Sequence, residues 1–269
     1  MGRLSGKVAF VTGAARGQGR AHAVRLASEG ADIIACDICG PVGSVTYAPS
    51  TLDELRETEA LVVAEGRRAL VGQVDVRDLA SLQEFVDKSV AELGRLDIVV
   101  ANAGVLSVGW LWEITEEQWA DVIGVNLTGV WHTIKVTVPK LLSQDTGGSI
   151  ILTSSGAGTK GFPFIGHYTA SKHGVVGLCR TLANELGPHD IRVNAILPAG
   201  VKTAMGDVPD LVALLQENAE TLAPIYMNAL PHTHMEPEDS AAVVAFLASD
   251  DARYMTGALV PVDFGTTNR

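Results

Sequence analysis

Short apolar runs near 7–12, 32–37, 70–74, 97–101, 149–154, 191–196 and 258–262 alternate with amphipathic stretches near 18–29, 52–65, 79–94, 116–143, 166–187 and 238–249. The runs read as strands and the stretches as helices. That alternation predicts an α/β fold: a doubly wound parallel sheet with right-handed crossovers and helices on both faces. No internal repeat or linker interrupts it, so residues 1–269 are expected to form a single domain with one sizeable core. Sheets of this kind bind ligands at the carboxyl edge of their strands, and that is where the chemistry-bearing residues fall.

The first run, Val8-Ala9-Phe10-Val11, leads into Thr12-Gly13-Ala14-Ala15-Arg16-Gly17-Gln18-Gly19 and then a helical pattern. A strand, a glycine-rich turn and a helix in that order form the context of a dinucleotide-phosphate loop, because glycines let backbone N–H groups and the helix N-terminus approach a pyrophosphate. Asp37 ends the second run, eighteen residues beyond Gly19. A carboxylate there accepts hydrogen bonds from the ribose hydroxyls and repels a 2′-phosphate, which selects NAD over NADP. Arg16 pulls the other way, but an exposed arginine can swing into solvent, so Asp37 carries more weight.

Tyr168 and Lys172 stand four apart, one helical turn on the same face, thirteen residues after Ser155 in Thr153-Ser154-Ser155. To act as an acid or base near neutral pH, a tyrosine must fall about three units from its ordinary ~10, worth roughly 4 kcal/mol. One unit charge at ~4 Å in a partly screened site supplies about that much. Lys172 is therefore expected to lower the Tyr168 pKa.

Taken together, these residues resemble the short-chain dehydrogenase/reductase family over nearly the whole chain. The resemblance implies seven strands, a Rossmann-type sheet and an NAD-dependent alcohol dehydrogenase or ketoreductase. It implies cofactor contacts from Gly13, Arg16, Gly17, Gln18, Gly19 and Asp37, from Asp75 and Val76 beside the adenine, and from Asn102-Ala103-Gly104 after the fourth strand. By the same resemblance Ser155 bonds the substrate oxygen, Tyr168 exchanges its proton, and Lys172 lowers the tyrosine pKa while holding the nicotinamide ribose. Asn126 holds a water that connects Lys172 to solvent, and the Val201 backbone with Thr203 fixes the carboxamide. The family usually has Pro-Gly after its sixth strand, whereas this chain has Pro198-Ala199-Gly200.

A formal net charge of −11 argues against nucleic acid or an anionic membrane as partner. No apolar run approaches the ~18 residues of a membrane span, and the first strand begins near Lys7, so a cytoplasmic location is expected. Cys36-Asp37-Ile38-Cys39 matches CxxC without a second pair, and His232-Thr233-His234 lacks a third ligand nearby, so no metal site is expected. A hydrophobic content of 47% is high for a free monomer and, with family analogy, suggests a homotetramer through the helices bearing Asn126 and Tyr168.

Two segments exceed what the scaffold needs. Ile38 to Ser50 precedes the capping-box pattern Thr51-Leu52-Asp53-Glu54, whereas strand-to-helix loops usually run ~2–6 residues. It emerges beside the adenosine position, where it is expected to fold over the cofactor. An insertion after the NAD-selecting Asp looks like the carveol dehydrogenase branch, associated with mycofactocin-dependent alcohol oxidation, which implies tightly held NAD recycled by an external redox carrier. The second segment, Ala204 to Glu236, is expected to form a mobile helical lid. With Trp110, Trp112 and Phe162 it suggests an apolar pocket for a hydrophobic secondary alcohol or ketone, such as a terpenoid. Reduction of 3-ketoacyl-carrier-protein substrates uses the same triad, but no obvious basic cluster would dock an acidic carrier. A catalytically silent NAD-sensing protein is the contrasting class, and the complete set Asn126, Ser155, Tyr168 and Lys172 speaks against it.

Overall fold

In the computed structural model, which describes residues 2–206 and 208–269, the strands are β1 (Val8–Thr12), β2 (Asp32–Asp37), β3 (Ala69–Gln73), β4 (Ile98–Ala101), β5 (Gly148–Thr153), β6 (Ile191–Pro198) and β7 (Leu259–Val262). They form one seven-stranded sheet in the order β3-β2-β1-β4-β5-β6-β7, every pairing parallel. The inner strands β1, β2 and β4 are buried along their whole length, which is why they read as unbroken apolar runs. Edge strand β3 is only half-buried.

Among the described residues the α-helices are α1 (Gly17–Ser28), α2 (Leu52–Ala64), α3 (Leu79–Leu93), α4 (Glu116–Ile123), α5 (Gly129–Gln144), α6 (Gly166–Leu186), α7 (Pro209–Glu217) and α8 (Pro237–Ala248). Successive strand residues point to opposite faces, and the two cores follow that alternation. Phe10 and Ile34 pack with Leu82 of α3, Ile134 of α5 and Val175 of α6. Val11 and Ile33 pack with Leu26 of α1, Leu55 of α2 and Val244 of α8. The α2 start carries the capping box its sequence predicts: Thr51 Oγ1 accepts the Glu54 N–H at 3.2 Å, and Glu54 accepts the Thr51 N–H at 2.7 Å.

The stretch 116–143 departs from the single helix expected of it. A π-helical turn, Gly124–Thr128, separates α4 from α5 and contains Asn126. Close packing accounts for the glycine that follows the turn, since a Cβ on Gly129 would stand 2.5 Å from Val76 Cγ2. The extra residue in the turn aims Asn126 at the chain after β4, where its amide holds the Val105 backbone.

Strand order reverses between β1 and β4, so the chain leaves β1 toward one side and β4 toward the other, opening a crevice at their carboxyl ends. Among the described residues no helix is long and apolar enough to cross a membrane. Cys36 and Cys39 are both free thiols.

Leu82 is fully buried in the face covered by α3. Leu82→Ala is expected to lower unfolding free energy by about 2–5 kcal/mol, read as a lower urea midpoint at unchanged slope.

Candidate functional site

The crevice floor is built by backbone approach that only glycine permits. Gly13 has φ +65°, and a Cβ there would stand 2.7 Å from Ala103 Cα. Gly17 has φ +55° beneath the Thr203 methyl, and a Cβ on Gly19 would overlap the Gly13 carbonyl oxygen. Thr12 ties the two sides together: its Oγ1 accepts the N–H groups of Asn102 (3.0 Å) and Ala103 (3.1 Å), while Asn102 Nδ2 donates to the Thr12 carbonyl at 3.1 Å. α1 begins at Gly17, so its unpaired N–H groups face the same crevice. This cradle suits a pyrophosphate. Gln18 lines it too, and its Oε1 is buried without a protein partner.

Asp37 closes the far end of the crevice. Its Oδ2 accepts the Ala15 N–H at 3.0 Å, and its Oδ1 accepts the Cys39 N–H at 3.0 Å and the Ser50 hydroxyl at 2.6 Å. The carboxylate is thus oriented by the glycine turn and by both ends of the insertion. Arg16 is not free to swing outward: it donates to the Ala48 carbonyl and lies 3.7 Å from Glu54. Its weight against Asp37 falls further, for its cation is already committed. Asp75 also lines the crevice, held by Arg77 at 2.8 Å, and Arg77 continues to Asp121 at 2.8 Å. Val76, Gly104 and Thr203 complete the wall, whereas Val201 lies buried beneath it, bridged to Met235. After β6 the glycine has moved one place along: Gly200 takes φ +59°, and a Cβ there would overlap the Thr233 carbonyl oxygen.

The insertion folds over this crevice as its position predicted. Val42 and Val45 line it, Ser44 N–H donates to Asp121 at 3.0 Å, and Gln73 Nε2 donates to the Ile38 carbonyl at 3.1 Å. Beyond that expectation, Tyr47 passes the crevice and accepts the Leu106 N–H at 3.2 Å. Tyr47 and Ser50 were not singled out by the sequence. The available signal was one aromatic in a Gly/Pro-rich stretch, and a serine just ahead of a capping box.

Ser155, Tyr168 and Lys172 gather where β5 and α6 meet. The Tyr168 phenol meets the Ser155 hydroxyl, which accepts the Ala157 N–H at 3.1 Å. Lys172 Nζ donates to the Thr153 carbonyl at 2.8 Å and sits 5.4 Å from the Tyr168 ring centre. Gly104 lies beside both polar groups: a Cβ there would stand 3.4 Å from Asn126 Oδ1 and 3.6 Å from Lys172 Nζ, ordinary contact distances. The expected lowering of Tyr168 is not found. Burial is the dominant influence and pushes the phenol up to about 12, only partly opposed by Ser155. The same burial brings Lys172 down to about 8, so its charge persists at neutral pH but is lost well below the phenol's own range.

An apolar cluster adjoins the phenol: buried Leu106, Phe162, Ile165 and Val208, with Tyr47, Tyr168 and Tyr226 packed against them. The segment Ala204 to Glu236 contributes Leu211 and Ile225 to it, while Val212 and Met227 are exposed. Among its described residues the helical character is confined to α7 and two short 3₁₀ turns at Ala204–Gly206 and Ala223–Tyr226. Trp112, expected at the pocket, is 75% exposed and stacks on Trp110 at 4.8 Å. His232 and His234 are exposed, and no cluster of three potential metal ligands occurs among the described residues. His167, unremarked in the sequence, is buried with Nε2 2.7 Å from Ser107 Oγ.

A family model described as enoyl-(acyl carrier protein) reductase, of the short-chain dehydrogenase type, matches residues 13–267. An uncharacterized NAD-dependent oxidoreductase of Mycobacterium tuberculosis is 53% identical over 98% of this chain and 97% of its own. The (−)-trans-carveol dehydrogenase of Rhodococcus erythropolis is 51% identical over 99% of each chain. The crystal structure of a carveol dehydrogenase from Mycobacterium avium in complex with NAD superposes with a TM-score of 0.95 at 52% identity, covering 100% of both chains.

The Lys172 depression makes a pH prediction. Between pH 8 and 10.5 the unfolded chain holds the lysine proton more tightly than the folded chain, so stability rises with pH in that window. Below pH 8 the burial penalty is fully present, about 3 kcal/mol for a shift of this size. Lys172→Met is therefore expected to gain most on the wild type below pH 8 and to lose that advantage toward pH 10.5. Thermal melting of the two proteins across pH 7–10.5 reads the difference, and a gap independent of pH contradicts it.

Proposed function

From the premise that this chain belongs to the short-chain dehydrogenase/reductase family, we propose that it is an NAD-dependent dehydrogenase of hydrophobic secondary alcohols, carveol-like terpenoids among them, which keeps its cofactor through turnover. One observation carries this reading. The Ser155, Tyr168 and Lys172 group lies between an apolar cluster and a glycine cradle whose far end is an oriented carboxylate, Asp37. The cofactor named for similar proteins suits that cradle, since Asp37 accepts from ribose hydroxyls and disfavours a 2′-phosphate.

When bound, NAD supplies the hydride acceptor and a positive charge that draws the Tyr168 phenol down toward working pH. Ser155 Oγ orients the substrate hydroxyl, and Tyr168 Oη takes its proton as the carbinol C–H is lost as hydride and the C=O bond forms. Lys172 Nζ, anchored at the Thr153 carbonyl, faces Asn126 Oδ1 across Gly104 and offers the proton a route away from the phenol. Asn126 also fixes the chain after β4, accepting the Val105 N–H at 2.8 Å and donating to its carbonyl at 2.9 Å. Leu106, Phe162 and Ile165 keep water from the reacting carbon.

The insertion supports cofactor retention, since release requires Ser50, Ser44 and the Arg16–Ala48 contact to part. An external redox carrier would then reoxidise NADH in place. A homotetramer through α4, α5 and α6 fits the exposed Trp119 and Trp131, and sedimentation at micromolar concentration tests it.

Mass spectrometry of protein purified without added nucleotide should find NAD and no NADP. Among secondary alcohols assayed with a redox dye, cyclic terpenoids should turn over fastest, and absence of turnover across the panel would sink the proposal. Tyr168→Phe should cut turnover by about 10² or more while NAD stays bound, since a positioned acid/base group supplies ~10²–10⁴. Asp37→Ala should lose retained NAD without gaining strong NADP use, because Arg16 is already engaged by Ala48 and Glu54. A variant preferring NADP by kcat/KM would contradict that assignment.

A further inference from the structure

We propose that Tyr47 is a shared wall of the two halves of the site, setting the shape of the substrate pocket and, through the insertion, coupling substrate occupancy to cofactor release. This rests on the dehydrogenase reading above and adds a specificity residue to it. Tyr47 comes from the segment that covers the cofactor crevice, yet its ring packs with Leu106, Phe162 and Ile165, the apolar cluster against which Tyr168 also lies. The two phenols are close enough for Tyr47 to raise the pKa of Tyr168.

The anchor of Tyr47 is rigid because its neighbours are held independently. Val105 is bound on both backbone groups by Asn126, Leu106 N–H donates to Tyr47 Oη, and Ser107 Oγ lies 2.7 Å from His167 Nε2. Three consecutive residues thus receive side chains from the π turn, the insertion and the helix bearing Tyr168. Ser50, bonded to Asp37 at the cofactor end, follows Tyr47 by three residues, at most about 10 Å of extended chain. The insertion cannot lift from Asp37 by much while Tyr47 stays seated. A substrate packed against the Tyr47 ring holds it seated, so it slows cofactor departure. To the extent that substrate raises the equilibrium affinity for cofactor, linkage requires bound cofactor to raise the affinity for substrate by the same factor.

The test follows release of NADH from the enzyme by its fluorescence, chased with excess ADP-ribose, with and without the best alcohol of the panel at saturation. NADH with alcohol forms a complex that cannot react. In the wild type the alcohol should slow release by about tenfold or more, within the usual range for coupled sites. Tyr47→Ala should release NADH faster and lose the alcohol effect, with KM rising for bulky alcohols more than for small ones. Tyr47→Phe keeps the ring but leaves Leu106 N–H without its acceptor, so it should retain the alcohol preference and release NADH at an intermediate rate. Slow wild-type release that alcohol does not change overturns this inference and leaves the retention reading intact. Fast release without alcohol contradicts retention alone, and slowing by alcohol would still support the coupling. Should Tyr47→Ala fail to fold, the wild-type comparison and Tyr47→Phe decide the matter.

Discussion

The meeting of β1 and β4 at Thr12 is the constraint on which the rest depends. Parallel order reverses there, and the Thr12 hydroxyl accepts two successive N–H groups from the β4 side, holding the strand ends at a fixed spacing. Without that spacing the close approach of Gly13 to Ala103 would lose its purpose, and the start of α1 would not face the crevice. The sheet is therefore both the core and the ruler of the site. The glycine turn, Asp37 and Asn102-Ala103 are placed by the ends of strands and the first turn of the helix that follows, and the insertion then closes over them.

The parts of this arrangement that depend on local pattern were legible in the chain. Strand positions followed from apolar runs because these strands are buried on both faces, and the glycine turn followed because no other residue tolerates its backbone. Residues whose role depends on where a long segment travels were not legible. Tyr47 lies far in sequence from Leu106, and nothing in a Gly/Pro-rich stretch states which way it crosses the sheet edge. Trp112 failed for the same reason: an aromatic carries large apolar area wherever it lies, and only the path of the loop after β4 places it in solvent. The π turn was hidden because one additional residue hardly alters the helical period of 116–143.

Tyr168 shows a different limit. Spacing puts a lysine near the phenol, but spacing says nothing about solvent, and burial acts on both groups at once. Desolvation raises an acid whose charged form is an anion and lowers a base whose charged form is a cation. Burial thus moves the two groups toward each other's range, the phenol to about 12 and the ammonium to about 8, while the lysine still carries its charge at neutral pH.

The run Val105-Leu106-Ser107, bound in turn by Asn126, Tyr47 and His167, has a consequence for how this pocket can diverge. Three separate elements, the π turn, the insertion and α6, meet on three adjacent residues. A change in any one shifts the footing of the other two, so the effects of paired substitutions there will not add. Relatives that acquire new alcohols are expected to alter the lid first, where Val212 and Met227 already face solvent, and to leave this junction as the conserved grammar of the site.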